Sequence, residues 1–315
     1  MLWVVIGHSP LSLNNMPYVI EHLFNIAYSF HMPLFILVSG CLFCRTRLKI
    51  NELNGGGYWR GYKIIMYDKI HRLGIPFVVF TILAMVVKAL FPGDVSRQVT
   101  LSIQGLVMAF INPFEGPNNE MWFIGTILWF FSLTPLWRWT CRRNVTEYIL
   151  LAALVLLHFK HPSENLFCIR QVCTQAIFFY VGILVCKYNI DRICQKQRWY
   201  LLIGGLVGFV LCYLFSIGFI VIWCGIIFSA GLAFILDEYF PKAFSGFRNY
   251  TYQIFLMGIF VQIAVKIIYS HTHIPYLVGF MACLLLGLYV PVIISKVLEK
   301  INWKPLLVCV GLKKQ

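Results

Sequence analysis

Acidic side chains are scarce in this chain, which has 12 Asp and Glu against 26 Lys and Arg and a formal net charge of +14. Charged residues of both signs make up only 12% of the 315 residues, whereas soluble domains have about 25%. Hydrophobic residues reach 60%, with a mean hydropathy of +0.77. This composition excludes an ordinary soluble enzyme and predicts an integral membrane protein.

Three further features are missing. The basic residues do not form one compact patch but lie between apolar runs, so we expect them to determine topology and expect no nucleic-acid partner. The 11 cysteines do not pair as two Cys-x-x-Cys units, so we expect no metal. No basic segment precedes the first apolar run, as a cleavable signal peptide requires.

The apolar runs have the length of membrane helices, about 20 residues, and not the short alternating pattern of an outer-membrane barrel. They predict an all-α bundle of about ten transmembrane helices, the first truncated at its N-terminus. The runs are 1–13, 26–44, 73–91, 121–137, 148–159, 167–186, 200–215, 217–236, 252–269 and 276–298. A weaker run, 99–111, indicates a re-entrant or interfacial segment. Residues 1–315 are expected to form a single domain with no appended soluble domain.

The basic residues alternate between loops. Most lie in the loops after the second, fourth, sixth and eighth runs and in the C-terminal tail. The loops on the opposite side hold only Arg97, Lys160 and Arg170. The positive-inside rule therefore predicts a multi-pass protein of the cell membrane, such as a bacterial inner membrane, with both termini in the cytoplasm.

Two histidines stand in or beside the first two apolar runs. An ionisable group at membrane depth is costly and therefore indicates function, and imidazole exchanges protons near neutral pH. In the predicted topology His8 lies in the outer half of the first helix and His31 opens the second helix, so the two can approach one another. The alternative is that each is a structural histidine bonded to a backbone carbonyl.

A cationic group precedes the third apolar run. Lys69 and Arg72 are three residues apart and so share a helix face, with Arg60 and Lys63 nearby. Arginine makes bidentate contacts to phosphate and lysine supplies a mobile charge, so the group suits a phosphate-bearing ligand such as a nucleotide. The alternative is an ordinary positive flank that contacts lipid headgroups.

Several short motifs follow one another in a fixed order along the chain. They are Gly7-His8-Ser9, His31-Met-Pro-Leu-Phe-x-x-x-Ser39-Gly40, Lys69-x-x-Arg72-x-x-x-Pro76, Met121-Trp122-Phe123-Ile124, Phe179-Tyr180-Val-Gly182 and Asn249-Tyr-Thr-Tyr-Gln-Ile-Phe-Leu256. Their order and spacing resemble the acyltransferase 3 family of membrane acyltransferases over nearly the whole chain.

The resemblance implies ten membrane helices and transfer of an acyl group, usually acetyl, from a cytosolic coenzyme A thioester to a hydroxyl of a sugar or related envelope molecule. It implies that His8 is the family's essential first-helix histidine. It also implies that Lys69 and Arg72 are the basic pair that meets the coenzyme A phosphates.

The residues and the resemblance together predict an acetyl-CoA-dependent O-acyltransferase. Acetyl-CoA would bind through Lys69 and Arg72, with Arg60 and Lys63 as further contacts. His8 would either deprotonate the acceptor hydroxyl or carry the acetyl group itself. The residues expected to orient His8 or hold the acceptor are His31, Ser39, Asn119, Glu120 and Trp122, with Glu120 as the best carboxylate partner available. The alternative for Glu120 is a solvated loop acid.

The sequence departs from the family pattern in two places. Relatives usually carry an Arg or Lys separated from the histidine by ten residues, a position that would precede Met1 in this sequence. We therefore expect the natural reading frame to start upstream, the rival being a short form that has lost activity. Met257 stands where many relatives have a histidine, and methionine cannot transfer protons.

Two other classes of protein compete with an enzyme. A transporter or flippase favours internal repeats and paired broken helices, and no convincing repeat relates the two halves of this chain. An inactive scaffold for polysaccharide assembly needs neither a membrane-depth histidine nor a basic group beside a span. The expected partners are acyl-CoA, a sugar or glycan acceptor, membrane lipid and separate envelope-assembly proteins.

Overall fold

The computed structural model describes residues 1–12, 16–48, 58–90 and 102–312, and all regular structure within these ranges is helical. The predicted all-α class is confirmed. The helices are α1 (Leu2–His8), α2 (Tyr18–Phe43), α3 (Tyr58–Lys69), α4 (Ile75–Leu90), α5 (Ile103–Ile111), α6 (Trp122–Ser132), α7 (Thr134–Thr140), α8 (Asn144–Phe159), α9 (Ile169–Lys187), α10 (Ile190–Lys196), α11 (Arg198–Leu214), α12 (Gly218–Tyr239), α13 (Thr251–Ser270), α14 (Tyr276–Ile301) and α15 (Lys304–Cys309). Arg97, the start of the weak run at 99–101 and the end of the first run at Leu13 lie outside the described residues.

The predicted count of ten spans is not confirmed. Six helical segments of the described chain are long and apolar enough to cross a membrane, or seven if α10 and α11, bent by 90°, form one span. The six are Tyr18–Thr46, Trp59–Leu90, Leu166–Lys187, Gly218–Tyr239, Arg248–Ser270 and Tyr276–Ile301. The run predicted at 121–137 is divided between α6 and α7, where Pro135 lies in the first turn of α7. Proline lacks a backbone donor, so a helix rarely continues through it.

The second and third runs begin earlier than predicted. Helix α2 starts at Tyr18 and continues through Phe43 into a π-helical turn, so His31 lies well inside the helix and does not open it. Helices α3 and α4 are joined by a second π-helical turn, Ile70–Gly74, and form one helical segment. Lys69 and Arg72 therefore lie within a continuous helix and not at the start of a span.

Contacts divide the chain into two compact units. The first consists of Met1–Phe35 and Tyr188–Asn302. It contains two antiparallel helix pairs, α11 with α12 and α13 with α14, and α1 packs against α13 and α14. Its apolar core includes Val5, Phe247, Ile254, Leu288 and Val292. Burial of this core places α1, which ends in His8, against α13 and α14.

The second unit consists of Ile36–Lys187 and Trp303–Gln315. Its centre is aromatic: the Phe130 and Phe179 rings are stacked with centroids 4.8 Å apart, and the Phe179 ring also contacts Phe43 and Trp137. The tail contributes α15, which packs against α4 and buries Leu307. Lys313 and Lys314 lie outside the described residues.

Candidate active site

The backbone at the end of α1 is held by the side chains of Ser9, which follows the helix, and Gln262 of α13. Gln262 of α13 is buried, and its Nε2 donates to the backbone oxygen of Val5 at 3.0 Å and to Ser9 Oγ at 3.2 Å. Ser9 Oγ in turn donates to the oxygen of Val5 at 2.6 Å. A carbonyl at a helix end lacks an intrahelical donor, and these two hydroxyl and amide donors satisfy it. They fix the orientation of the turn that carries His8.

Helices α1 and α2 meet closely at the residue before the histidine. A Cβ atom at Gly7 would lie 3.0 Å from Cε2 of Tyr28, closer than ordinary van der Waals contact, so glycine lets the Tyr28 ring lie close against α1. The Tyr28 hydroxyl then lies 3.1 Å from Nδ1 of His8. When Nδ1–H donates to the tyrosine oxygen, Nε2 of His8 is the basic nitrogen.

His31 completes a three-ring cluster with His8 and Tyr28. Its ring centroid is 6.2 Å from that of His8 and 4.9 Å from that of Tyr28, both in edge-to-face arrangements. His31 is buried, and its Nδ1 lies 2.8 Å from the backbone oxygen of Ala27. A carbonyl can only accept, so Nδ1 carries a proton and a neutral His31 presents Nε2 as an acceptor.

The predicted approach of His8 and His31 is confirmed by these distances, although their roles stay predictions. Tyr28 and Gln262 were missed. Tyr28 gives a weak signal, because it lies three residues before His31 and so shares its helix face. Gln262 gives one as well, being an amide inside the apolar sequence of α13. Met257 is buried in the same helix and has no titratable group.

The four predicted cationic residues lie on α3 and the π-helical turn of the second unit. Arg60, Lys63 and Arg72 are exposed. Lys69 is partly buried, with its ammonium 4.3 Å from the centroid of the Phe131 ring. The prediction that Lys69 and Arg72 share a face assumed an α-helix, and it is weakened because the wider π turn rotates one residue relative to the other. Lys69 packs on an aromatic ring while Arg72 points to the surface.

The remaining predicted residues also belong to the second unit. Ser39 is partly buried beside Gly40, where α2 contacts α9. Asn119 and Glu120 form part of the 3₁₀ turn Asn119–Met121, and both are partly buried. Trp122 begins α6, with its ring edge-on to Phe123. Three of these residues thus lie in four consecutive positions at the amino end of α6.

An ion pair and a thiol lie at the carboxyl end of α9, where Lys187 is the last residue. Lys187 pairs with the buried carboxylate of Glu147, and its Nζ donates to the backbone oxygen of Cys141 at 3.1 Å. Burial, and next the charge of Glu147, raise the pKa of the Cys141 thiol to about 11. The thiol therefore stays protonated at neutral pH.

The comparisons with known proteins identify the class and then the family. Residues 1–296 match a family model described as an acyltransferase domain, and with its apolar helices this makes the chain a membrane acyltransferase. The match covers far more than half of the sequence, so the chain belongs to the acyltransferase 3 family. The comparison with curated proteins and the comparison with solved structures gave no match.

Proposed function

We propose that this acyltransferase moves an acetyl group from cytosolic acetyl-CoA to a hydroxyl of an envelope sugar, polysaccharide or lipid-linked glycan. The observation that carries the proposal is the contact of His8 Nδ1 with the Tyr28 hydroxyl beside the buried ring of His31. This arrangement supports a role for His8 Nε2 in proton transfer. Family membership supports the acyl-transfer reaction itself.

The chemistry is that of a general base. His8 Nε2 removes the proton of the acceptor hydroxyl while the hydroxyl oxygen attacks the thioester carbonyl carbon. The carbon–sulfur bond then breaks, the ester forms, and the imidazolium returns its proton to the departing coenzyme A thiolate. Tyr28 serves this cycle when its oxygen accepts a hydrogen bond from Nδ1–H of His8, because Nε2 is then the basic nitrogen.

The donor docks through the basic residues of α3 and the π-helical turn. Arg60, Lys63 and Arg72 are exposed and can meet the phosphates of coenzyme A, with Arg72 offering a bidentate contact. Lys69 lies against Phe131, so it supplies positive charge from a fixed position. In the proposed topology this basic group and both termini face the cytoplasm of a cell whose inner membrane holds the protein.

The acceptor is held by the polar residues at the amino end of α6. Asn119 and Glu120 can exchange hydrogen bonds with hydroxyl groups, and Trp122 can offer an apolar face to a sugar ring. Ser39 is a further candidate for this role. The sequence alone proposes Glu120 as the carboxylate partner of His8.

Transfer of radiolabelled acetyl groups from acetyl-CoA to glycan in membranes tests the proposal. His8→Ala should lower the rate by about 10²-fold or more, since general bases contribute about 10²–10⁴. The matched control is His22→Ala, because His22 lies on α2 with its Nδ1 near Tyr213 and not near His8. Equal rates for wild type and His8→Ala would remove the catalytic assignment. Movement of unacetylated glycan across the membrane without label transfer would instead favour a flippase.

A rapid acid quench separates the two roles that His8 could have. With labelled acetyl-CoA and no acceptor, a general base leaves the protein unlabelled. A protein-bound acetyl group that forms at once and is absent in His8→Ala would show the covalent route, in which the imidazole carries the acetyl group.

A further inference from the structure

Four amide side chains of the second unit are buried without the partners that burial demands. Asn112, Asn118, Asn165 and Gln171 are 7%, 6%, 8% and 7% exposed. Among the described residues, neither amide atom of Asn118 or Asn165 has a hydrogen-bond partner, nor does the amide oxygen of Asn112 or Gln171. Buried polar groups are almost always paired, so four such side chains in one unit require an explanation.

Two of the amides flank one folded loop. Asn112 follows the last residue of α5, and Asn118 precedes the 3₁₀ turn that leads into α6. The loop folds back on α5, since a Cβ at Gly116 would lie 3.5 Å from Cα of Ala109. Both amides are therefore held where α5 ends and α6 begins.

The other two amides lie at the start of α9 and just before the 3₁₀ turn that precedes it. Asn165 precedes the 3₁₀ turn Leu166–Cys168, which packs against both α5 and α6. The backbone oxygen of Phe167 accepts a 2.9 Å hydrogen bond from Nε1 of Trp129 in α6. Gln171 lies in the first turn of α9, directly after this 3₁₀ turn. The four amides thus come from segments that contact α5 or α6.

The 3₁₀ turn is strained. Phe167 and Cys168 have φ angles of 54° and 61°, in the left-handed region that residues with a Cβ rarely adopt. Two successive residues in that region destabilise the chain, and such strain is concentrated at functional sites. Strain and unpaired amides at the same place indicate that the segment is shaped for binding and not for stability.

The exposed surface beside the amides is aromatic. Phe114 and Phe167 are 38% and 56% exposed, and Trp122 is partly exposed. Aromatic faces pack on the C–H faces of sugar rings, while amides both donate to and accept from hydroxyl groups. A lipid chain would leave the amides unpaired, and an anion would meet the carboxylates of Glu115 and Glu120. A neutral carbohydrate fits both properties.

We propose that Asn112, Asn118, Asn165 and Gln171 form a binding subsite for a neutral sugar ring. It rests on the proposed function, because the sugar is a ring of the acceptor glycan. The amides are covered by protein, so the sugar reaches them when the exposed tip of the loop, Phe114 and Glu115, moves aside.

Saturation-transfer NMR on the full chain in lipid nanodiscs tests the subsite. The probes are glucose, galactose, rhamnose and N-acetylglucosamine, with cyclohexanol as a ring that has a single hydroxyl. At least one sugar should give a signal with wild type, and Asn118→Leu and Gln171→Met should weaken its binding about tenfold. The matched control is Gln104→Met, because Gln104 is an exposed amide on α5.

Thermal unfolding of the same variants separates binding from structure. A buried amide without a partner can be replaced by an apolar group of similar size without loss of stability, so the midpoints should stay equal or rise. A lowered midpoint would show that the amides stabilise the fold without any sugar, and would overturn the proposal. Unchanged sugar signals in both variants, or no sugar signal with wild type, would overturn it as well.

The subsite and the proposed function can fail separately. His8→Ala should keep the sugar signals of wild type while acetyl transfer stops. Sugar binding without any acetyl transfer by wild type would refute the reaction and leave the subsite. Acetyl transfer that is unchanged in Asn118→Leu and Gln171→Met would refute the subsite and leave the reaction.

Discussion

Gln262 donates a hydrogen bond to the backbone oxygen of Val5 at 3.0 Å, across 257 positions of sequence. The bond joins α13 to the turn that ends in His8, and the same Nε2 also donates to Ser9 Oγ. A bond of this kind between an amide and a helix-end carbonyl does not touch the reacting atoms. The bond fixes the position of the turn that carries His8, so Gln262 is a positioning residue.

Gln262→Leu is expected to lower kcat about tenfold or more with little change in the KM for acetyl-CoA, because a small displacement of His8 impairs transfer but not donor docking. The variant should also lose about 1–3 kcal/mol of stability, since Val5 and Ser9 lose a buried donor. Steady-state kinetics and thermal unfolding measure both effects. Ser270→Ala, at the exposed end of the same helix, is the control. A rise in KM alone would contradict the positioning role.

Tyr28→Phe removes the hydroxyl that meets His8 Nδ1 and keeps the ring that packs on Gly7. We expect kcat to fall about tenfold to a hundredfold, because the tautomer with basic Nε2 is no longer favoured. Tyr18→Phe is the matched control, since Tyr18 lies on the same helix and its ring contacts His22. The pH–rate profile gives a second measurement: the acidic limb of kcat, where the general base becomes protonated, should shift in Tyr28→Phe and stay in place in Tyr18→Phe.

Arg72→Ala should raise the KM for acetyl-CoA about tenfold with kcat nearly unchanged, because an exposed guanidinium contributes to docking and not to the reacting centre. The dependence of KM on salt should become weaker in this variant. Arg192→Ala removes an equally exposed cation of the first unit and should leave KM as it is. Equal KM values for wild type and Arg72→Ala would remove the docking role.

Gly40 and Gly182 let α2 and α9 touch backbone to backbone. A Cβ at Gly40 would lie 2.0 Å from the oxygen of Phe179, and a Cβ at Gly182 would lie 2.0 Å from the oxygen of Leu37. Alanine at either position must separate the helices, so we expect a loss of about 3 kcal/mol or more. Gly204→Ala is the control, because a Cβ there meets nothing within 4 Å and should be neutral or slightly stabilising. Thermal unfolding of the three variants provides the comparison.

Cys141 is expected to react slowly with iodoacetamide at neutral pH. Its pKa is raised to about 11, and because a thiol reacts as thiolate, a raised pKa leaves only about one part in 10³ reactive at pH 8. The rate should therefore rise about tenfold per pH unit up to pH 10. Mass spectrometry of labelled peptides measures it. A rate that levels off near pH 9 would show an ordinary thiol.

The sequence predicted the helices best where a long apolar run has polar residues at both ends. The run predicted at 252–269 is observed as Thr251–Ser270, and the break near Ser216 is present between α11 and α12. The start of α2 could not be predicted in this way. Its first turns contain Glu21, His22 and Asn25, which resemble a loop, yet they are helical because the apolar residues between them pack.

The candidate site was predictable only in part, because some of its contacts join neighbouring helices of the sequence and others join helices that are far apart in it. His8 and His31 could be paired from topology alone. The bond from Gln262 to Val5 depends on how α13 packs against α1, which no local pattern specifies. The burial of Asn118 and Asn165 could not be predicted either, because asparagine between two helical segments ordinarily indicates a solvated turn.

The π-helical turn at Ile70–Gly74 gives the helix one residue more than an α-helical ladder needs. Deletion of one residue within the turn would restore ordinary winding and leave both flanking segments in register, whereas a deletion inside α4 would rotate every later side chain by about 100°. The turn is therefore the stretch of this helix where a one-residue deletion disturbs the flanking helical segments least. Such a deletion would also change the angle about the helix axis between the ammonium of Lys69 and the guanidinium of Arg72.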